Sequence, residues 1–178
     1  MRKLSMDELN RVSVEKFREL DKLPLVCILD NIRSQHNVGS IFRTADAFRV
    51  KELLLCGITA TPPNREISKT ALGATESMKW RYLEEAVTAV NQLKSEGYRV
   101  LAVEQAENST TLDSFIPGTG EKIALVFGNE VMGVSEEVME LVDGCLEIPQ
   151  FGTKHSLNVS VTAGIVLWNM YLLLQGNR

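Results

Sequence analysis

Leu25-Val26-Cys27-Ile28-Leu29 is an unbroken apolar run between Pro24 and the polar pair Asp30-Asn31. A strand with one wet face alternates apolar and polar residues. A run without alternation needs cover on both faces, as in a parallel sheet between helices. Reading outward, 52–56, 98–103, 122–127 and 145–148 predict further strands, and 80–82 a brief one. Helices are expected over 38–48, near 67–72, over 84–94 and from a Ser135 cap through 141. An opening helix is expected over 7–20 and a long closing one over 159–174, while 108–120 is the one long loop-like stretch. Strands alternating with helices give an α/β fold with a mainly parallel sheet between helices.

The length of 178 residues predicts a single domain, 1–178, with 1–24 as an N-terminal helical extension carrying six basic and five acidic residues. The net charge of −4 argues against a protein wrapped in nucleic acid by bulk electrostatics, but a local basic face remains open to RNA. Cys27, Cys56 and Cys145 sit far apart in apolar runs, and neither His36 nor His155 has a second ligand at zinc spacing. Reduced, buried thiols and no metal are therefore expected. The first residues become charged again at Asp7-Glu8, too soon for a signal peptide, so a reducing cytoplasm is the expected location.

No charged residue occurs from 156 to 177, yet the dense apolar part covers only 163–174. A membrane span needs about 20 apolar residues, so the expectation is no membrane and a helix buried on nearly all sides. One sheet covers one face of such a helix. Other helices or a second copy must cover the rest, and Trp168, Met170 and Tyr171 suit a homodimer interface.

Ligands of open parallel sheets bind at the loops after the strands' carboxyl ends. Four such loops carry polar or small residues: 30–33, 104–106, 128–130 and 149–152. No G-x-G-x-x-G follows the first strand, and 128–133 lacks the Lys-Ser/Thr of a phosphate loop, which argues against dinucleotide dehydrogenases and P-loop NTPases. At about 100° per residue, Val38, Ile41, Ala45 and Phe48 fall on one stripe and Arg43 falls opposite. Arg43 therefore faces solvent, a substrate or another subunit. Asn37, just before the expected helix, suits a cap.

Three segments carry a resemblance to a known family. Asn37-Val38-Gly39-Ser40-Ile41-Phe42-Arg43-Thr44-Ala45 resembles the first motif of the SpoU (TrmH-like) RNA 2′-O-ribose methyltransferases of the SPOUT superfamily. Phe127-Gly128-Asn129-Glu130-Val131-Met132-Gly133-Val134 resembles the second, and the stretch from Ile148-Pro149-Gln150 to Ser156-Leu157-Asn158-Val159-Ser160-Val161 the third. The resemblance implies a C-terminal deep trefoil knot, a homodimer, and an S-adenosylmethionine site in the knotted loops. It implies Arg43 as the central catalytic residue near the ribose hydroxyl and adjacent phosphate, with Asn37, Glu130, Ser156 and Asn158 as the other polar site positions. Glu130 would orient loop groups or Arg43, and Ser156 and Asn158 also suit a helix cap. The cofactor is expected at Glu104, Phe127, Gly128, Ile148, Gln150 and Leu157.

A guanidinium holds its proton too firmly to serve as a base. Arg43 is therefore expected to fix a phosphate and steady developing negative charge, the proton leaving through phosphate or water. Gln150 stands where many relatives have Met, a form similar to the branch that methylates tRNA guanosine. Lys154 and His155 are candidate RNA phosphate contacts, as are Arg65 and Lys69, with Lys79 and Arg81 on the same expected face. No separate RNA-binding domain precedes the core in this reading, which favours tRNA. An rRNA target, an idle RNA-binding homodimer and a small-molecule methyltransferase are the alternatives. All five polar motif positions are filled, which argues against the idle reading.

Overall fold

The computed structural model describes residues 1–5 and 7–175. Strand β1 (Leu25–Asp30) is buried at every position, as its unbroken apolar run requires. It lies inside a seven-stranded sheet with β2 (Glu52–Cys56), β3 (Trp80–Leu83), β4 (Tyr98–Val103), β5 (Thr110–Thr111), β6 (Lys122–Phe127) and β7 (Gly144–Glu147), in the order β3-β2-β1-β6-β4-β7-β5. Every adjacent pair is parallel. The α/β, parallel-sheet expectation is met, and the sheet is parallel throughout rather than mainly so.

Alternate residues of the strands feed two cores, because successive side chains point to opposite faces. Cys27, Leu29, Leu55, Leu125 and Phe127 face α2 (Gln35–Ala47), α3 (Arg65–Ala71), α4 (Ala74–Ser77) and α7 (Val159–Gln175), beside which Phe17 of α1 (Val14–Glu19) is also buried. Val26, Ile28, Leu54, Val100 and Val126 face α5 (Ala86–Ser95) and Val138 of α6 (Glu136–Met139). Burial on both faces is what makes these strands read as continuous apolar runs.

Several bounds differ from expectation for local reasons. The single helix over 7–20 is instead a 3₁₀ turn at Asp7–Leu9 followed by α1, separated by Asn10 at φ 47°. Ser34, not Asn37, caps α2: its side chain accepts the Asn37 N–H, so the helix starts three residues early and Asn37 lies in its first turn. Ser135 occupies the N-cap position of α6, but its hydroxyl donates to Asp30 Oδ2 at 2.7 Å instead of capping the helix. The short α4 and β5 carry too few residues for a periodic signal.

The first motif's glycine has a packing reason. A Cβ on Gly39 would overlap Thr70 Oγ1 and the Ile67 carbonyl of α3, so α2 and α3 touch almost backbone to backbone there. Gly39→Ala is expected to cost about 1–3 kcal/mol by overpacking, seen as a thermal midpoint lowered by roughly 2–10 °C at this chain size.

Within the single chain, helix α7 is buried along one side only, so the chain's own helices do not supply the expected burial on nearly all sides. Ala163, Val166, Leu167, Met170 and Leu174 face the core, whereas Val161, Ile165, Trp168 and Leu172 are 51%, 39%, 49% and 51% exposed. Met170 is therefore a core residue rather than an interface one. Tyr171 is half-buried, stacked on Trp168 at 5.8 Å and against Phe48 at 5.6 Å. The uncharged run expected to reach 177 passes beyond Gln175, outside the described residues. Among those described, no helix is long and apolar enough to cross a membrane.

Candidate active site

The sheet order carries β1 outward to β2 and β3 on one side, and β6 and β4 to β7 on the other. Because every strand is parallel, the loops after their carboxyl ends gather on one edge of the sheet, where ligands of such sheets bind. A recess of about 520 Å³ lies there, walled by the loops after β4, β6 and β7 and by the start of α7. Glu104, Phe127, Gly128, Ile148, Gln150 and Leu157, the six positions expected to hold a cofactor, all line it. So do Glu130, His155, Ser156 and Asn158.

The loop after β6 is a tight hairpin. Asn129 and Gly133 exchange backbone hydrogen bonds of 2.9 Å in both directions, and Asn129 Oδ1 accepts from the N–H groups of Val131 and Met132. A Cβ on Gly128 would overlap the Gly133 and Val134 backbone, so the hairpin closes only over glycine. Asn129 Nδ2 also donates to the Asn31 carbonyl at 2.7 Å, tying this loop to the one after β1. Sequence reasoning left Asn129 out, although an Asn that bonds its own loop's N–H groups is a common turn device.

Glu130 joins the motifs. Its carboxylate accepts from the Arg33 N–H, the Ser34 N–H and Asn37 Nδ2, each at 2.9 Å. Burial alone would raise its pKa, but these hydrogen bonds outweigh burial and hold it below the usual carboxylate value. Glu130 thus orients loop groups and the first turn of α2, with no bond to Arg43 among the described residues. Asn37 Oδ1 in turn accepts from Asn158 Nδ2 at 3.2 Å. Asn158 also caps α7, its Oδ1 accepting the Ser160 N–H at 2.9 Å, so the capping and site roles coincide. Ser156 sits exposed on the rim.

The structure does not bring Arg43 into this recess. It lies six residues beyond Asn37, about 9 Å along α2, exposed and without a hydrogen bond or ion pair among the described residues. That agrees with its outward wheel position. Lys154 and Arg65 are exposed, and Lys69 pairs with Glu66 at 2.6 Å, as does His36 at 2.9 Å. The face expected to group Lys79 and Arg81 with Arg65 and Lys69 is divided. Lys79 and Arg81 stand at the start of β3 and pair with buried Glu52. His155 lies on the rim, its carbonyl accepting from Gln105 Nε2 at 2.6 Å. Gln105 and Thr162 are further lining residues that the sequence reading did not single out as site residues.

Glu104 keeps acceptor capacity. Its Oε1 takes the Gln105 N–H at 2.9 Å and its Oε2 the Val134 N–H at 3.4 Å, leaving lone pairs for a ligand hydroxyl. No cysteine lines the recess. Burial pushes the Cys27 thiol far up and that of Cys56 to about 12, so neither is a nucleophile. Among the described residues, no group of His, Cys, Asp and Glu could hold a metal ion.

Comparison with known proteins supplies the context. The SpoU rRNA Methylase family matches residues 24–168. The chain is 34% identical over 159 residues to the 23S rRNA (guanosine-2′-O-)-methyltransferase RlmB of Neisseria meningitidis, covering 89% of this chain and 62% of that protein. It is 34% identical over 167 residues to the tRNA (guanosine(18)-2′-O)-methyltransferase of Thermus thermophilus, covering 90% of this chain and 81% of that one. The crystal structure of an AdoMet-bound rRNA methyltransferase from Sinorhizobium meliloti superposes with a TM-score of 0.78 at 25% identity, covering 86% of this chain and 59% of that one. The chain thus spans about three-fifths of the first curated relatives it matches.

Proposed function

Because the chain belongs to the SpoU rRNA methylase family, we propose that it transfers the methyl group of S-adenosylmethionine to a ribose 2′-hydroxyl of RNA, with tRNA as the substrate. One observation carries this reading. Segments that are 93 and 121 residues apart meet in a single hydrogen-bonded wall, Glu130 to Asn37 to Asn158, beside a recess of small-molecule size. Family membership also carries the expectation of the C-terminal knot.

The recess fits the cofactor's chemistry. Val103, Phe127, Leu146 and Ile148 offer apolar wall for a base, and Glu104 offers free acceptor sites for ribose hydroxyls. When bound, S-adenosylmethionine supplies a methyl carbon activated on a sulfonium. The chain's own part is alignment. Glu130 fixes the start of α2, Asn37 and Asn158 hold the first and third motifs in register, and Ser156 places a hydroxyl on the rim. Arg43 clamps the RNA phosphate beside the reacting ribose and steadies charge developing on oxygen.

The choice of tRNA rests on the Ile148-Pro149-Gln150 form and on exposed Arg65, Lys69, Lys154 and His155, which suit recognition by shape and phosphate. The equally similar rRNA relative favours rRNA as the second reading. Labelled S-adenosylmethionine, incubated with separate pools of unmodified tRNA and rRNA, decides. A 2′-O-methylnucleoside from tRNA is expected. Label only in rRNA overturns the substrate, and label in neither overturns the activity.

The partner is a second copy. Val161, Ile165, Trp168 and Leu172 recur at steps of four, three and four, forming an exposed apolar stripe along α7 that a twofold contact would cover. Trp168→Glu is expected to raise the dimer dissociation constant at least about 30-fold, the loss typical of a central aromatic anchor. Sedimentation velocity would show monomers with an unchanged helical spectrum; an undiminished dimer would exclude this stripe as the interface.

A further inference from the structure

Phe151 is 96% exposed, the most exposed large apolar side chain after Met1 among the described residues. It belongs to a loop, 151–158, in which every residue is exposed, and its neighbours Gln150 and His155 line the recess. Val131 and Met132 of the β6 hairpin line the same recess while exposed at 70% and 82%, and Phe151 directly follows the lining residue Gln150. Apolar side chains held this far into water by two ligand-lining loops lie where a ligand would extend beyond the recess.

We propose that Phe151, with Val131 and Met132, forms a stacking rim that receives the nucleobase of the target nucleotide while its ribose enters the recess. This rests on the RNA-methylation reading. A ribose hydroxyl can reach an alignment site inside a recess only if its nucleotide leaves the stack, which costs a few kcal/mol. A flat aromatic at the mouth offsets that cost for any base, since every base has a π-face. The hairpin is braced by Asn129, so its two apolar side chains are held in place before RNA arrives. A second copy is the competing occupant. The exposed stripe suited to self-association begins at Val161, about 3 Å along α7 from its first residue, and runs away from the recess to Leu172, so dimer content is followed in the test.

The test compares wild type, Phe151→Ala and Phe151→Trp on the RNA that wild type labels, and on the same RNA carrying an abasic ribose at the labelled position. Phe151→Ala is expected to lower kcat/KM about 5- to 150-fold, mainly through KM for RNA. Cofactor affinity by calorimetry and dimer content by sedimentation should be unchanged. Phe151→Trp restores activity, and on the abasic RNA wild type and Phe151→Ala converge. An Ala variant equal to wild type, a loss that persists on the abasic RNA, or a loss that follows dimer content overturns the stacking rim alone. No methyl transfer by wild type to any RNA overturns the function reading and the rim with it.

Discussion

Arg43→Ala is expected to lower kcat by about a hundred- to a thousandfold, the loss typical of removing a group that stabilises transition-state charge, while leaving the melting temperature unchanged. The combination follows from its surroundings. Arg43 is exposed on the outer side of α2, with no hydrogen bond or ion pair among the described residues, so nothing in the fold depends on it. Replacing an arginine that only decorated a surface would lower neither kcat nor the melting temperature, and replacing one that braced the fold would lower both. Arg43→Lys is expected to recover little, because an ammonium cannot present two parallel N–H groups to a phosphate. Single-turnover methylation at saturating RNA, paired with a melting curve, checks this. Near-normal turnover would remove Arg43 from the chemistry.

Glu130→Gln should also be severe, for the opposite reason. Oε1 accepts two hydrogen bonds and Oε2 one, all from N–H donors. An amide in either orientation points its own N–H₂ at a donor, so an isosteric change breaks the joint between the second motif and the first. The expected outcome is a loss of about 2 kcal/mol of stability, in the range for hydrogen bonds to a charged group, with cofactor binding and turnover reduced together. The pH dependence has a definite sign. The carboxyl is held below its unfolded value, so its stabilisation is fully present above about pH 4.3 and is lost as pH falls through the lower folded value. Wild type should therefore lose stability over that acid interval more steeply than Glu130→Gln. Parallel acid-unfolding curves for the two proteins would contradict this account.

Much of this was legible in the chain. β1, β2, β4 and β6 announce themselves because burial on both faces forces unbroken apolar runs. The outward position of Arg43 follows from helical period alone. What periodicity cannot carry is a joint between distant segments. Asn37 reads as a cap from its local context, yet Ser34 takes that role, and the Asn37 side chain is committed to Glu130 and Asn158. Gln105, and the second bond of Asn129, were invisible for a similar reason, since their partners His155 and Asn31 lie 50 and 98 residues away. Which side of α7 the chain's own core takes was not legible, because apolar residues encircle the helix and sequence does not say which of them the core reaches first.

The geometry of the Asn37–Asn158 joint also sets an order of events during synthesis. Every strand of the sheet is complete once Glu147 has been added. The recess still lacks Ile148, Gln150, His155 to Val159 and Thr162. A nascent chain that has emerged only that far can pair its strands and bury both cores in part, yet it has no place to bind a cofactor. The recess is thus completed last, when α7 docks on α2 and Asn158 reaches Asn37. An unfinished copy is structurally advanced but has its recess still open.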